Sequence, residues 1–78
     1  MQDNVFEIAS EIFGIDEEII TLETSPDTID NWDSMNQLKL VTAIEEEFSI
    51  NLSMAEIESI VNVKTLINVI QDHQSRPI

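Results

Sequence analysis

The chain has 78 residues, of which 16 are Asp or Glu and 3 are Lys or Arg, so its formal net charge at pH 7 is -13. Nucleic acid would repel such a chain, whereas a basic surface on a protein partner would attract it. The absence of Cys and the presence of a single His exclude a disulfide framework, a thiolate or histidine metal cluster and a cysteine nucleophile.

The length predicts one domain over residues 1–78 with a small core. Hydrophobic residues make up 42% of the chain, which is enough to fold a compact unit in spite of the charge. The start of the chain, Met1-Gln2-Asp3-Asn4, lacks the basic and apolar segments of a secretory signal. No apolar run approaches the length of a membrane span, so we expect a cytoplasmic protein without one.

The first predicted element is a helix over residues 3–13. Its apolar residues recur at helical spacing, at Val5, Phe6, Ile8, Ala9, Ile12 and Phe13. Gly14, the only glycine, follows directly and is a typical C-terminal stop.

A long loop is predicted from Ile15 to Asp33, because the apolar periodicity stops there and Pro26 is joined by many turn-forming residues. A loop of this length in a small domain needs side chains to hold it, and the candidates are Ile15, Ile19, Ile20, Leu22, Ile29 and Trp32. Residues 16–19 favour a short helical turn. The acids of the loop lack calcium-loop spacing, since Trp32 and Leu38 stand where a glycine and a Glu are needed, so no metal site is predicted.

The second helix is predicted to be the longest and to end at Phe48. Spacings of three and four predict a stripe that faces the core, formed by Met35, Leu38, Val41, Ile44 and Phe48, with Leu40 and Ala43 on its flanks. The three consecutive acids Glu45, Glu46 and Glu47 are typical of a solvated face or of a contact with a basic partner.

Two further helices complete the predicted fold. Ser53 and Glu56 have the spacing of a capping box, which opens a short third helix through Met54, Ile57, Ile60 and Val61. Asn62 is a suitable cap for a fourth helix with Leu66, Ile67, Val69 and Ile70, which ends near a solvent-facing His73 before an irregular tail over residues 75–78. No segment alternates with period two. We therefore predict an all-α four-helix bundle, with three longer helices and one short one, that is a monomer.

The chemistry that the sequence offers lies at the start of the second helix. Asp33 is a good N-cap, and Ser34 would then occupy the first helical position. Its hydroxyl would lie beside unpaired backbone N–H groups at the positive end of the helix dipole, where an anion such as a phosphate is favoured. Taken alone, Asp-Ser before an apolar run indicates only a helix cap.

The rest of the chain adds to that cap. Trp32-Asp33-Ser34-Met35, with Leu38, Leu40 and Val41 and then Ala-Ile-Glu-Glu-Glu-Phe over residues 43–48, resembles the acyl carrier protein family. The resemblance covers nearly the whole chain. It implies a helical bundle of acyl-carrier type, and it implies that Ser34 is the attachment point of a 4'-phosphopantetheine arm on which acyl intermediates are held as thioesters.

The resemblance also implies partners. A separate phosphopantetheinyl transferase, the holo-carrier synthase, would transfer the arm from coenzyme A, and ligases, acyltransferases or synthases with basic docking patches would use it. No base for Ser34 is evident in the sequence, because His73 lies in the last helix and Asp33 is better used as a cap. The chain is therefore predicted to be a carrier that serves as a substrate of partner enzymes, with no catalytic residues of its own.

In the family, partner contacts centre on the start of helix two, which here implies Met35, Asn36, Lys39, Glu45 and Glu46. The family usually has acids at the positions of Asn36 and Lys39, so the local charge differs by about three units, one at the first position and two at the second. This difference favours dedicated partners in a specialised lipid, polyketide or related pathway over the housekeeping carrier of fatty-acid synthesis.

Aliphatic side chains suggest where a cargo chain would fold. A gap between helices two, three and four would be lined by Leu38, Val41, Ile44, Met54, Ile57, Ile60 and Ile67. The same residues are equally compatible with a filled core that admits no guest.

Two other functions stay open. Asp-Ser-Met also occurs in aminoacyl and D-alanyl carriers, although peptidyl carriers more often have glycines before the serine and Asn31-Trp32-Asp33 has none. The other possibility is an unmodified acidic helical module that docks on a basic partner.

Overall fold

The computed structural model describes residues 2–75 as four α-helices with one short 3-10 turn and no strand. The elements are α1 (Gln2–Phe13), the 3-10 turn Glu17–Ile19, α2 (Ser34–Phe48), α3 (Met54–Ser59) and α4 (Val63–Ser75). The predicted all-α bundle, with its long loop between the first two helices, is confirmed. Within this part of the chain no helix has both the length and the apolar character that crossing a bilayer requires.

Helix α1 buries one face and ends at a glycine, as predicted. Val5, Ala9 and Phe13 are buried. Gly14 adopts φ +66°, a left-handed conformation that costs glycine little. The next N–H, that of Ile15, then donates to the Ser10 carbonyl at 3.1 Å, which satisfies a carbonyl in the last turn of the helix.

The long loop is held against the bundle mainly by Trp32, which is buried and stacks on Phe13 with ring centroids 4.9 Å apart. Ile20 is also buried. The prediction that Ile19 and Leu22 hold the loop was wrong, since they are 64% and 36% exposed.

Backbone contacts to α4 hold the loop where Leu22 does not. The Leu22 carbonyl accepts from the N–H of Lys64 at 2.9 Å, and the Thr24 carbonyl accepts from that of Val63 at 3.0 Å. These amides lie in the first turn of α4, where a helix has no carbonyls for them. Thr24 itself is buried, and its hydroxyl accepts from the N–H of Thr21 at 2.8 Å.

The stripe predicted to face the core on helix α2 is confirmed at Val41, Ile44 and Phe48 and wrong at Met35 and Leu38. Leu40, Val41 and Ile44 are buried, whereas Met35 and Leu38 are 67% and 58% exposed. The face that packs on the other helices is thus centred on Leu40, which the periodicity had placed on a flank. Met35 and Leu38 instead lie along the side of α2 next to α1.

Helix α2 ends without a glycine. Ser49 adopts φ 55°, in the left-handed region, and its N–H donates to the Glu45 carbonyl. The N–H of Ile50 donates to the same carbonyl at 3.1 Å. A non-glycine residue in this conformation is strained by about 1 kcal/mol or more.

Both predicted caps of the later helices are confirmed. Ser53 and Glu56 form a reciprocal capping box at the start of α3, and the Asn62 side chain accepts from the N–H of Thr65 at 2.8 Å. Helix α3 is shorter than predicted. It ends at Ser59. The next two residues, which were predicted to belong to it, differ in burial: Ile60 is buried and Val61 is exposed.

The prediction that His73 faces solvent was wrong. Its side chain is 13% exposed, and Nε2 lies 2.7 Å from Glu56 Oε2 on α3. Helix α4 continues through Ser75, which was predicted to begin an irregular tail. The rest of that predicted tail, residues 76–78, lies outside the described part of the chain.

Candidate functional site

Ser34 is the first residue of α2 and is exposed. The chain arrives extended at Asp33, with φ -105° and ψ -177°, as is typical of an N-cap. Asp33 Oδ1 accepts from the N–H of Asn36 at 2.9 Å, and the Asp33 carbonyl accepts from that of Gln37 at 2.8 Å. Asp33 therefore fixes the first turn, in which Ser34 is exposed.

The local field suits an anion on that hydroxyl. The amides of Ser34 and Met35 lie in the first turn, where a helix provides no carbonyl for them. The first turn of α2 contains no acid, so only the Asp33 carboxylate opposes the positive end of the dipole. An exposed serine with these amides beside it fits a phosphodiester group.

Asn36 helps to hold the loop segment that precedes Ser34. Its Nδ2 donates to the Asn31 carbonyl at 2.6 Å, and Asn31 Nδ2 donates to the Phe13 carbonyl at 2.9 Å. The loop before Ser34 is thus fastened both to the end of α1 and to the first turn of α2. An acid at position 36 has no N–H with which to make this contact.

Gln37 makes a second connection, which sequence reasoning missed. Its Oε1 accepts from the indole Nε1–H of Trp32, and its Nε2 donates to the Ile57 carbonyl at 3.2 Å. One side chain therefore joins the loop, α2 and α3. The only local signal was a long polar residue one turn after Ser34, and such a residue on a helix is commonly solvated.

The residues predicted to meet partners differ in their surroundings. Met35, Lys39 and Glu46 are exposed beside a groove of about 450 Å³, whose lining residues are Ile12, Met35, Leu38, Lys39, Thr42, Ala43 and Glu46. Glu45 is only partly exposed, and its Oε2 accepts from the N–H of Leu52 at 2.8 Å. The carboxylate of Glu45 thus has a structural contact in the link between α2 and α3.

The predicted lining of an acyl pocket is brought together only in part. The residues that lie in or against the common core are Val41, Ile44, Ile57, Ile60 and Ile67. Leu38 was misplaced, since it lines the groove beside α1, and Met54 is 67% exposed. Neither residue therefore lies in the gap between the helices where the cargo chain was predicted to fold.

A separate cleft of about 370 Å³ opens next to Ser34. It is lined by Pro26, Trp32, Asp33, Ser34, Gln37 and Ile60. Trp32 and Ile60 belong to the buried core, so this cleft places the exposed serine beside two core side chains. Residues 2–75 contain no group of three or more His, Cys, Asp or Glu side chains able to hold a metal ion.

Comparison with known proteins agrees with this geometry. The family model described as "Phosphopantetheine attachment site" matches residues 3–70. The chain belongs to that family, whose prosthetic group is covalently attached 4'-phosphopantetheine. The fold is similar to the solution NMR structure of a holo acyl carrier protein from Geobacter metallireducens, with a TM-score of 0.79 and 24% identity over 99% of this chain and 94% of that one. The chain is thus a phosphopantetheine-attachment carrier protein with the acyl carrier fold.

Proposed function

We propose that Ser34 Oγ holds the 4'-phosphopantetheine arm and that the chain carries acyl intermediates for a specialised lipid, polyketide or related pathway. The observation that carries the proposal is the exposed hydroxyl of Ser34 at the start of α2, where Asp33 caps the helix and no acid follows in the first turn. When bound, the arm supplies a terminal thiol on a long flexible tether, to which acyl groups are joined as thioesters.

The chain's own residues present the serine and do not activate it. The Asp33 carboxylate accepts from the N–H of Asn36, and the His73 imidazole contacts Glu56 of α3 at 2.7 Å. Neither group is arranged to take the proton from Ser34 Oγ. This supports a carrier that is a substrate of its partner enzymes, with the base supplied by the phosphopantetheinyl transferase.

The docking surface that we propose for the transferase and for acyl ligases, acyltransferases or synthases is the exposed side of α2 formed by Met35, Lys39 and Glu46. An apolar side chain flanked by charges suits a polar-rimmed protein contact. The neutral Asn36 and the basic Lys39 make this end of α2 less attractive to a strongly basic pocket, which supports dedicated partners.

An acyl cargo is favoured over an aminoacyl or D-alanyl one because no glycine precedes Ser34 in Asn31-Trp32-Asp33. The structural relative is itself described as an acyl carrier protein. The proposed unit is a cytoplasmic, monomeric, single-domain carrier. The apolar stripes of its four helices meet in one core, which supports a unit that needs no second copy.

Co-expression with a broad-specificity phosphopantetheinyl transferase, followed by intact mass measurement, tests the proposal. We expect a mass gain of one 4'-phosphopantetheine that is lost in Ser34→Ala. The matched control Ser59→Ala, at the exposed end of α3, should keep the gain. An unmodified mass in the native chain would contradict the proposal and favour an interaction module.

A further inference from the structure

The cleft beside Ser34 borders the buried residues Trp32 and Ile60, and the side chain of Gln37 forms part of its wall. Gln37 lines the cleft together with Ser34 and the buried Ile60. It lies three residues after Ser34, about one helical turn along α2. A chain that starts at Ser34 and turns inward between α2 and α3 therefore passes the Gln37 amide, which bridges these two helices.

That amide is held at both ends. Its oxygen accepts from Trp32, whose ring is buried and stacked on Phe13 at 4.9 Å. Its nitrogen donates to the Ile57 carbonyl in the last turn of α3 at 3.2 Å, and the same carbonyl also accepts from the N–H of Ile60 at 3.2 Å. Moving Gln37 aside takes from the buried indole N–H of Trp32 its acceptor, which is costly, and removes one of the two donors to the Ile57 carbonyl.

We propose that Gln37 is a latch that closes the gap between α2 and α3 and thereby sets the shortest acyl chain that the core admits. The inference rests on the proposed attachment at Ser34 and adds to it a residue that determines cargo specificity. Two hydrogen bonds are worth about as much as the burial of two to four methylene groups. Short or polar cargo therefore stays outside, and only a longer aliphatic chain gains enough by burial to displace the latch.

Gln37 distinguishes the two apolar surfaces near Ser34. The groove beside α1 is lined by Met35 and Leu38 and is not lined by Gln37. The cleft next to Ile60 is the one that Gln37 lines. Cargo below the threshold length is thus left on the outer surface, where partner enzymes reach it.

Loading the protein with even-numbered acyl chains from acetyl to dodecanoyl, by phosphopantetheinyl transfer from the acyl-coenzyme A series, tests the latch. The reporters are the amide resonances of Ile57 and Ile60 and the indole N–H of Trp32, the only tryptophan. In the native chain we expect no shifts with acetyl and, beyond a threshold length, joint shifts of the Ile60 amide and the Trp32 indole.

The variants move that threshold. Gln37→Leu removes both hydrogen bonds and should lower the threshold by roughly two to four methylenes, which is one or two steps of the series. Gln37→Glu keeps an acceptor for Trp32 and loses the donor to Ile57, so its threshold should fall between the two. Gln71→Leu, at an exposed position on α4, is the matched control and should leave the threshold unchanged.

Several outcomes would overturn the latch. One is the same threshold in Gln37→Leu and in the native chain, and another is no shift at Ile57 or Ile60 with any chain length. The native chain alone gives a further test, independent of variant folding: shifts at Ile60 without a change at the Trp32 indole mean that cargo enters past an undisturbed Gln37. If intact mass shows no 4'-phosphopantetheine arm on the native chain, both the proposed function and the latch are refuted. If the arm is present, the outcomes above refute the latch alone.

Discussion

Glu56 and His73 join α3 to α4 through a contact of 2.7 Å between Oε2 and Nε2. The other oxygen of Glu56 accepts from the N–H of Ser53 at 2.9 Å in the capping box. Helix α3 has six residues, too few to be stable alone in water. One carboxylate therefore both starts the helix and fastens it to its neighbour.

This arrangement predicts a pH dependence of stability. The backbone hydrogen bond from Ser53 is the main cause that lowers the pKa of Glu56 below its ordinary value of 4.5; burial opposes it, and the Ser53 hydroxyl and His73 reinforce it. A carboxyl with a lowered folded-state pKa stabilises the fold fully above the unfolded-state value and loses that effect as pH falls through the folded-state value. We expect Glu56→Gln to be less stable than the native chain above pH 4.5, with the difference shrinking below it.

Urea unfolding, followed by circular dichroism across the acidic range, measures this difference. Glu58→Gln removes one negative charge from the same helix at an exposed position and serves as the control for general charge repulsion. A stability difference between Glu56→Gln and the native chain that persists unchanged far below pH 4.5 would refute the assignment.

Asp33 should stabilise α2 by accepting a hydrogen bond, and not by its charge alone. Asp33→Ala removes the acceptor of the Asn36 N–H and should cost about 1 kcal/mol of unfolding free energy. Asp33→Asn keeps a side-chain oxygen and ranks as an equally good cap, so its cost should be within about 0.5 kcal/mol. Equal losses in the two variants, measured by urea unfolding, would show that the carboxylate charge dominates.

Truncation to Ala should lower the stability much more at Glu45 than at the neighbouring Glu46. Glu45→Ala leaves the partly buried N–H of Leu52 without its acceptor and should cost about 1–2 kcal/mol. Glu46→Ala, at an exposed position, should change stability by less than about 0.5 kcal/mol. Thermal unfolding of both variants measures this. Similar stabilities would mean that the Leu52 contact contributes little in solution.

Features that depend on near neighbours in the sequence were predictable. The caps at Asp33, Ser53 and Asn62 and the stop at Gly14 each involve groups a few residues apart, so spacing alone predicts them. The buried face of α2 was not, because Leu38 and Leu40 both fit an apolar spacing of three and four. Only the packing of α2 against elements distant in the sequence decides that Leu40 is covered and Leu38 is not.

The candidate site shows the same division. Ser34 at the start of a capped helix follows from local sequence, and the resemblance to acyl carriers gave it a chemical role. Gln37 did not follow, because its partner Ile57 is 20 residues away and the amide contacts a backbone carbonyl, which no side-chain pattern encodes. His73 was misjudged for the same reason, since its partner Glu56 is 17 residues away.

Lys39 should reduce the affinity of the carrier for basic partners. Its side chain is exposed on α2, so Lys39→Glu should change the unfolding free energy by less than about 0.5 kcal/mol. The change of two charge units should raise kcat/KM for a phosphopantetheinyl transferase with a basic docking surface by about fivefold at low ionic strength, equivalent to roughly 1 kcal/mol. The gain should shrink in high salt because screening weakens exposed charge pairs.

Lys64→Glu, the same change at an exposed position on α4, is the matched control. Equal gains in both variants would show that net charge alone, and not its position on α2, governs the encounter.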